Sequence, residues 1–179
     1  MPLVGQKAPY FDMASTKNMD TLDENVTLND YRGKWLVLFF YPADFTFVCP
    51  TEILALSERA EEFQNLDCDI LGVSVDNVHC HKAWIKTPRE QNGLGPINFP
   101  LASDMTKEVS RAYDVLIRET GQAMRGLFII DPDGFIRYQV VHENNVGRST
   151  DETLRVLEAL QSGNMCGADW KPGDPVLQV

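Results

Sequence analysis

Three runs of continuous apolar residues stand out along the chain, each of strand length. Trp35-Leu-Val-Leu-Phe-Phe-Tyr41 is the most apolar of them. A strand that is apolar at every position has both faces covered, so this one is predicted at the centre of a sheet. Pro42 ends it. Asp69-Ile-Leu-Gly-Val-Ser-Val75 and Gly126-Leu-Phe-Ile-Ile130 read the same way. Between the strands the period changes. Ile53, Leu56, Ala60 and Phe63 recur at helical spacing after Cys49-Pro50, and proline suits the start of a helix. Residues 78–86 and 107–113 read as further helices, the first closed by Thr87-Pro88. Asp131-Pro-Asp-Gly134 is a turn that returns the chain as a hairpin strand over Phe135 to Val141. Ser149-Thr-Asp-Glu152 is a capping-box pattern, and Leu154, Leu157 and Leu160 mark the helix it opens.

Strands alternating with helices early, and a hairpin late, predict an α/β sandwich with a mixed central sheet flanked by helices. No repeat or flexible linker interrupts the chain. One domain over residues 1–160 and an irregular tail over residues 161–179 are expected. Apolar residues make up 44% and charged residues 23% of the chain, which excludes a disordered or collagen-like protein. A formal charge of −10 repels phosphate backbones, so no nucleic-acid partner is expected. The apolar runs are too short to span a membrane. The opening residues lack a basic start followed by an apolar run, which predicts a cytoplasmic protein.

In a reducing compartment the four cysteines, Cys49, Cys68, Cys80 and Cys166, point to redox or catalytic use rather than structural disulfides. Cys68 and Cys80 read as small buried hydrophobes. Cys49 differs because it falls at a predicted helix start. A free thiol, with an ordinary pKa of about 8.5, is only slightly ionised at neutral pH. Unpaired backbone N–H groups and the positive end of a helix dipole favour the nucleophilic thiolate. The hydroxyl of Thr46 could bond the thiolate or an oxygen substrate, or simply satisfy its own loop. Pro42 and Pro50 could shield the sulfur, or merely punctuate the chain. His79-Cys80-His81 makes a poor metal site, because adjacent side chains diverge.

The string Pro42-x-x-x-Thr46-x-x-Cys49 matches the active-site signature of the peroxiredoxins. Phe45-Thr-Phe-Val-Cys-Pro-Thr-Glu52 resembles the typical two-cysteine subgroup, which includes the peroxidase component of bacterial alkyl hydroperoxide reductase. The likeness continues through His81-Lys-Ala-Trp84, Asn98 to Asp104, Arg125 to Asp131, Val146-Gly-Arg-Ser149, Asp151-Glu-Thr-Leu154 and Cys166. It implies a thioredoxin-like fold and a thiol-specific peroxidase that needs neither cofactor nor metal. By resemblance, Cys49 is the peroxidatic cysteine, and Thr46 and Arg125 bind the peroxide. Pro42 shields the site, and Glu52 and Arg148 form a supporting polar pair. A guanidinium beside the sulfur makes chemical sense, since it keeps its charge and offers several fixed donors.

The resemblance also implies how the cycle closes. Cys49-Pro-Thr-Glu52 carries Glu where a thioredoxin-type Cys-x-x-Cys would place its second thiol. Cys166, within Asn164-Met-Cys-Gly-Ala-Asp-Trp170, matches the resolving cysteine, which pairs with Cys49 of the other subunit in a homodimer. Family members assemble such dimers into rings of five. Thioredoxin, a dedicated flavoprotein or another dithiol would reduce the disulfide. Two features depart from members that overoxidise easily: Asn92-Gly93-Leu94-Gly95 replaces a Gly-Gly-Leu-Gly segment, and Asp174 to Val179 holds no Tyr-Phe pair. Quick disulfide formation and resistance to sulfinic acid are therefore expected. A redox-sensing adaptor or holdase and a thioredoxin-type oxidoreductase are the competing readings.

Overall fold

A computed structural model describes residues 2–178. The chain divides after Arg148 into two compact units. The first holds a seven-stranded sheet: β1 (Asp12–Ser15), β2 (Asn25–Thr27), β3 (Trp35–Phe40), β4 (Cys68–Ser74), β5 (Leu101–Ser103), β6 (Arg125–Ile130) and β7 (Ile136–His142). Their order is β2-β1-β5-β4-β3-β6-β7, and the sheet is mixed as expected. β3 runs parallel to β4 and antiparallel to β6. The first unit also carries α1 (Cys49–Glu58), α2 (Ala60–Asn65), α3 (Val78–Lys86) and α4 (Glu108–Ala112).

β3 is central because nothing in it tolerates water: Leu36 to Phe40 are all fully buried. Successive side chains alternate faces. Leu36, Leu38 and Phe40 join the main core with Phe11, Tyr113, Phe128 and Ile130. Three rings lock this layer, with centroids 5.3 Å apart for Phe40 and Tyr113, 5.9 Å for Phe40 and Phe128, and 5.0 Å for Tyr113 and Phe128. On the other face Phe39 meets Phe99 edge-on at 5.7 Å.

The expected helix after Cys49 is two helices. Arg59, at φ −108° and ψ 14°, breaks the α-helical ladder between α1 and α2. Pro50 takes the second helical position, one later than the sequence suggests. β1, β2 and β5 carry no pattern that sequence reading could catch, being three or four residues long. In the second unit, α5 (Thr150–Ser162) starts as predicted, with Ser149 Oγ accepting from Glu152 N at 3.1 Å. Gly163 ends it at φ +66°, the left-handed conformation in which glycine meets no Cβ penalty. The tail beyond is irregular but tied down: Leu177 N donates to Met165 O at 2.8 Å, and Arg155 Nη1 donates to Trp170 O at 3.0 Å. Among the described residues no helix is long and apolar enough to cross a membrane.

Truncating Phe128 to Ala removes the ring shared by Phe40 and Tyr113. Urea unfolding of F128A should show a loss of about 3–5 kcal/mol.

Candidate active site

The site forms where β3 stops. Tyr41 still donates its N–H to Val73 O at 3.0 Å, but Pro42 has no N–H to continue a ladder. The chain leaves the sheet through residues 42–48 and enters α1 at Cys49. Val48, the N-cap, has no side-chain oxygen to cap the helix, so its positive end is left facing the first turn. Cys49 occupies that turn and is fully buried.

Arg125 reaches the same place from β6. Phe39 pairs with Leu127 across the antiparallel ladder, so Arg125, two residues earlier, stands level with Tyr41 at the strand end. Its Nη1 donates to Cys49 Sγ at 3.3 Å and to Glu52 Oε2 at 2.6 Å, and its Nε donates to Asn144 O at 2.9 Å. Its other amino group, Nη2, has no acceptor among the described residues. Arg148 completes the cluster. Its backbone N and its Nε each donate to Glu52 Oε1 at 2.8 Å, its Nη2 donates to Glu52 Oε2 at 3.1 Å, and its Nη1 donates to Gly126 O. The guanidinium lies 5.4 Å from the centre of the Phe39 ring.

Glu52, Arg125 and Arg148 are all nearly excluded from water, with side chains 3–5% exposed. Buried charges are costly unless paired and hydrogen-bonded. Burial alone would raise the Glu52 carboxyl, but Arg148 and Arg125 outweigh it and hold it below the usual carboxylate range. Burial pulls the Arg148 guanidinium below its ordinary value, against the opposing pull of Glu52. One carboxylate cannot neutralise two guanidinia. The remaining positive charge faces the Cys49 sulfur, where an anion is the natural complement.

Five of the seven candidate residues therefore converge at one strand end: Pro42, Cys49, Glu52, Arg125 and Arg148. Pro42 is buried. Thr46 stands in the same loop, but its Oγ1 donates to Ala43 O at 2.8 Å and not to the sulfur. Cys166 belongs to the second unit. There it is half-buried, with Ser162 Oγ 3.5 Å from its sulfur. Cys68 is buried, as read from sequence, whereas Cys80 is only half-buried. Burial drives the Cys68 thiol well above its ordinary range. Burial, then the charges of Asp44 and Asp76, push Cys80 up to about 12. Neither is a ready nucleophile.

Sequence reading missed what fastens the loop. Asp44 is buried: its Oδ2 lies 2.7 Å from His81 Nδ1, and its Oδ1 accepts from Tyr41 OH at 2.8 Å. His81 Nε2 lies 3.1 Å from Ala102 O. Asp44 N donates to Asp76 Oδ2 at 2.9 Å. His81 is thus a structural partner of the loop, and among the described residues no cluster of His, Cys, Asp and Glu could hold a metal ion. Its spacing within His79-Cys80-His81 gives no hint of a partner 37 residues upstream.

Comparison with known proteins points the same way. The sequence profile of the AhpC/TSA family matches residues 4–139. A putative peroxiredoxin in the rubredoxin operon of Clostridium pasteurianum is 58% identical over 175 residues, covering 98% of each chain. The mitochondrial thioredoxin-dependent peroxide reductase of Homo sapiens is 50% identical over 181 residues, covering 99% of this chain and 70% of the human protein. The reduced crystal structure of Plasmodium vivax 2-Cys peroxiredoxin superposes with a TM-score of 0.94 at 37% identity, covering 99% of this chain and 94% of that one.

Replacing Glu52 by Gln leaves two buried guanidinia without their counter-charge. E52Q should be about 3–5 kcal/mol less stable than wild type at pH 7 by urea unfolding. The Glu52 carboxyl is depressed in the folded state. Its contribution is therefore full above the unfolded value of about 4.3 and is lost as pH falls through the lower folded value. The gap between the two proteins should close correspondingly as the titration is carried below about pH 4.

Proposed function

This chain belongs to the AhpC/TSA family and is a two-cysteine peroxiredoxin, a thiol peroxidase of thioredoxin-like fold, and we propose that Cys49 is the thiol that attacks the peroxide. The carrying observation is the Arg125 guanidinium, which donates to the Cys49 sulfur at 3.3 Å while Nη2 keeps its N–H groups uncommitted. The thiolate attacks one oxygen of a hydroperoxide. An S–O bond forms, the O–O bond breaks, and the departing oxygen leaves with the electron pair. Arg125 Nη2 donates to that oxygen as charge develops on it, and proton uptake releases water or an alcohol. Cys49 is left as a sulfenic acid.

Thr46 has a defined part in this pose. Its hydroxyl hydrogen is spent on Ala43 O, so toward a peroxide it acts as an acceptor. Arg125 donates and Thr46 accepts, which orients the O–O bond between them. Pro42 keeps water from the sulfur, and Glu52 with Arg148 holds Arg125 at its angle. Hydrogen peroxide and organic hydroperoxides fit this scheme alike.

Cys166 of a second copy of the chain then condenses with the sulfenic acid, forming an S–S bond and releasing water. A dithiol reductant such as thioredoxin, or a dedicated flavoprotein, exchanges with that disulfide and leaves both cysteines as thiols. The thioredoxin dependence named for the human relative supports the first of these. The reactive unit is a homodimer, assembled into a ring of five, acting in the cytoplasm in antioxidant defence and redox homeostasis. Residues 161–179 form the tail that carries the resolving thiol to its partner.

A peroxide-dependent NADPH oxidation assay with thioredoxin and its reductase tests the scheme. C49S should lose all peroxide consumption, and survival of normal turnover would sink the proposal. C166S should reduce one equivalent of peroxide per Cys49 but form no intersubunit disulfide on non-reducing gels. During steady turnover at low peroxide, mass spectrometry should find little Cys49 carrying two added oxygens, since disulfide formation outpaces a second oxidation in this reading. Rapid accumulation would contradict that reading.

A further inference from the structure

The end of the sheet opposite Cys49 gathers positive charge of its own. Leu36 and Ile130 pair there, about 17 Å back along the chain from Tyr41. Three segments meet at this end. Arg32, at φ −61° and ψ 137°, and Gly33, at φ +83°, form a turn that Lys34 N closes by donating to Tyr31 O at 3.2 Å. Glycine takes that second turn position without strain. Gly33 N donates to Pro132 O at 3.1 Å, which ties this turn to the hairpin turn of Asp131 to Gly134. The N-terminal segment joins from the other side, with Ala8 N donating to Gly134 O at 2.8 Å and Ile136 N donating to Gln6 O at 2.9 Å.

These segments enclose a cavity of about 180 Å³. Ala8, Leu36 and Ile130, all buried, give it an apolar floor. Tyr31 and Tyr10 stand in its wall, and Tyr10 is 59% exposed. Lys7, Arg32 and Lys34 line it as well. In a chain of formal charge −10 this is a local reversal of sign, and a cavity with low-dielectric walls focuses such a field. Arg32 spends only Nε, on Asn29 Oδ1 at 3.0 Å, and its two amino groups have no acceptor among the described residues. Lys7 Nζ lies 5.9 Å from the centre of the Phe135 ring and meets no carboxylate among the described residues. Lys34 is shared with Asp69 at 3.5 Å. Of the acids in the lining, Asp131 is committed: it accepts from Asp133 N at 3.1 Å, Phe135 N at 2.8 Å and Arg137 Nε at 2.5 Å. Asp133 stands exposed at the lip.

An apolar floor, a tyrosine wall and a cationic rim together suit a flat ring that carries an anionic group. The volume decides how much of such a molecule enters. Sites that enclose a whole drug-sized ligand measure about 300–1,000 Å³, so this one takes a single ring and leaves the charged group at the rim. The charge decides which anion. Lys7 and Arg32 both lack a carboxylate partner, so a dianionic phosphate answers two cations where a carboxylate answers one. The planar guanidinium also offers paired donors to phosphate oxygens. We propose that this cavity binds a small ring-bearing phosphate, of which a mononucleotide is the simplest case. The site lies at the far ends of β3 and β6 from Cys49 and Arg125, so occupation leaves the attack on peroxide untouched. It stands whether or not Cys49 is the reacting thiol.

Isothermal titration of the full chain at low ionic strength, without peroxide, tests the site with AMP, adenosine and inorganic phosphate as probes. AMP should bind at least about tenfold more tightly than adenosine or phosphate, because it joins the two halves of the recognition. R32Q should weaken AMP about tenfold, the range of a hydrogen bond to a charged group, and leave adenosine unchanged. Y10A should weaken AMP and adenosine alike, by about threefold. Added salt should loosen AMP and spare adenosine. Arg32 and Tyr10 are both exposed, and circular dichroism melts of the two variants should match wild type. Absence of AMP binding at millimolar concentration would overturn the proposal. So would AMP binding that neither variant alters, since the ligand would then lie elsewhere. Phosphate binding as tightly as AMP would overturn it too, because the ring would then contribute nothing.

Discussion

One carboxylate shared by two guanidinia governs this molecule. Glu52 accepts from Arg125 and Arg148 at a place nearly closed to water, and the three together carry one positive charge too many. Such an excess would be ruinous in a buried cluster with no other partner. Here the Cys49 sulfur lies against it, 3.3 Å from Arg125 Nη1. Stability and the proposed reactivity therefore meet at one place: the group that lies against the excess charge is the sulfur proposed to attack the peroxide. The fold serves this arrangement by bringing three distant stretches, around residues 49, 125 and 148, to one strand end.

The position of β3 makes that meeting possible. Its apolar side chains bury both faces, which forces it to the middle of the sheet and leaves its C-terminal end flanked by β4 and β6. The aromatic layer of Phe40, Tyr113 and Phe128 fixes one face. The other offers Phe39 as a platform for Arg148. Beneath the loop, Asp44, His81 and Tyr41 form a second polar cluster, separate from the first, that anchors the chain between strand and helix. A rigid end and an anchored loop are what a 3.3 Å contact between a sulfur and a guanidinium requires.

Much of this is legible from residue pattern. β3, β4 and β6 declare themselves as unbroken apolar runs, and α5 announces its first residue through Ser149. Cys49 is visible because proline and helical spacing follow it at once. Arg125 is different. It lies 76 residues from Cys49, and before an apolar strand it looks like any surface cation; only the resemblance to a family singles it out. Long-range partners of this kind have no local signature, which is also why nothing in the sequence links Asp44 to His81. The short strands β1, β2 and β5 are invisible for another reason: three or four residues cannot establish a period. The break at Arg59 is a choice made by tertiary packing, since nothing in Leu56 to Phe63 interrupts helical spacing.

The hydrogen bond from Thr46 to Ala43 has a consequence for discrimination among oxidants. With its only hydrogen engaged, the hydroxyl turns lone pairs toward the proposed peroxide pose. In that proposed pose it would ask the incoming molecule for a hydrogen atom on the oxygen beside it. A hydroperoxide has one, whereas a dialkyl peroxide carries the same weak O–O bond and presents only more lone pairs. Two like-signed edges would then meet in a place without water to separate them. The enzyme would thus sort its oxidants by the presence of a single proton, leaving the carbon chain on the far oxygen free to vary.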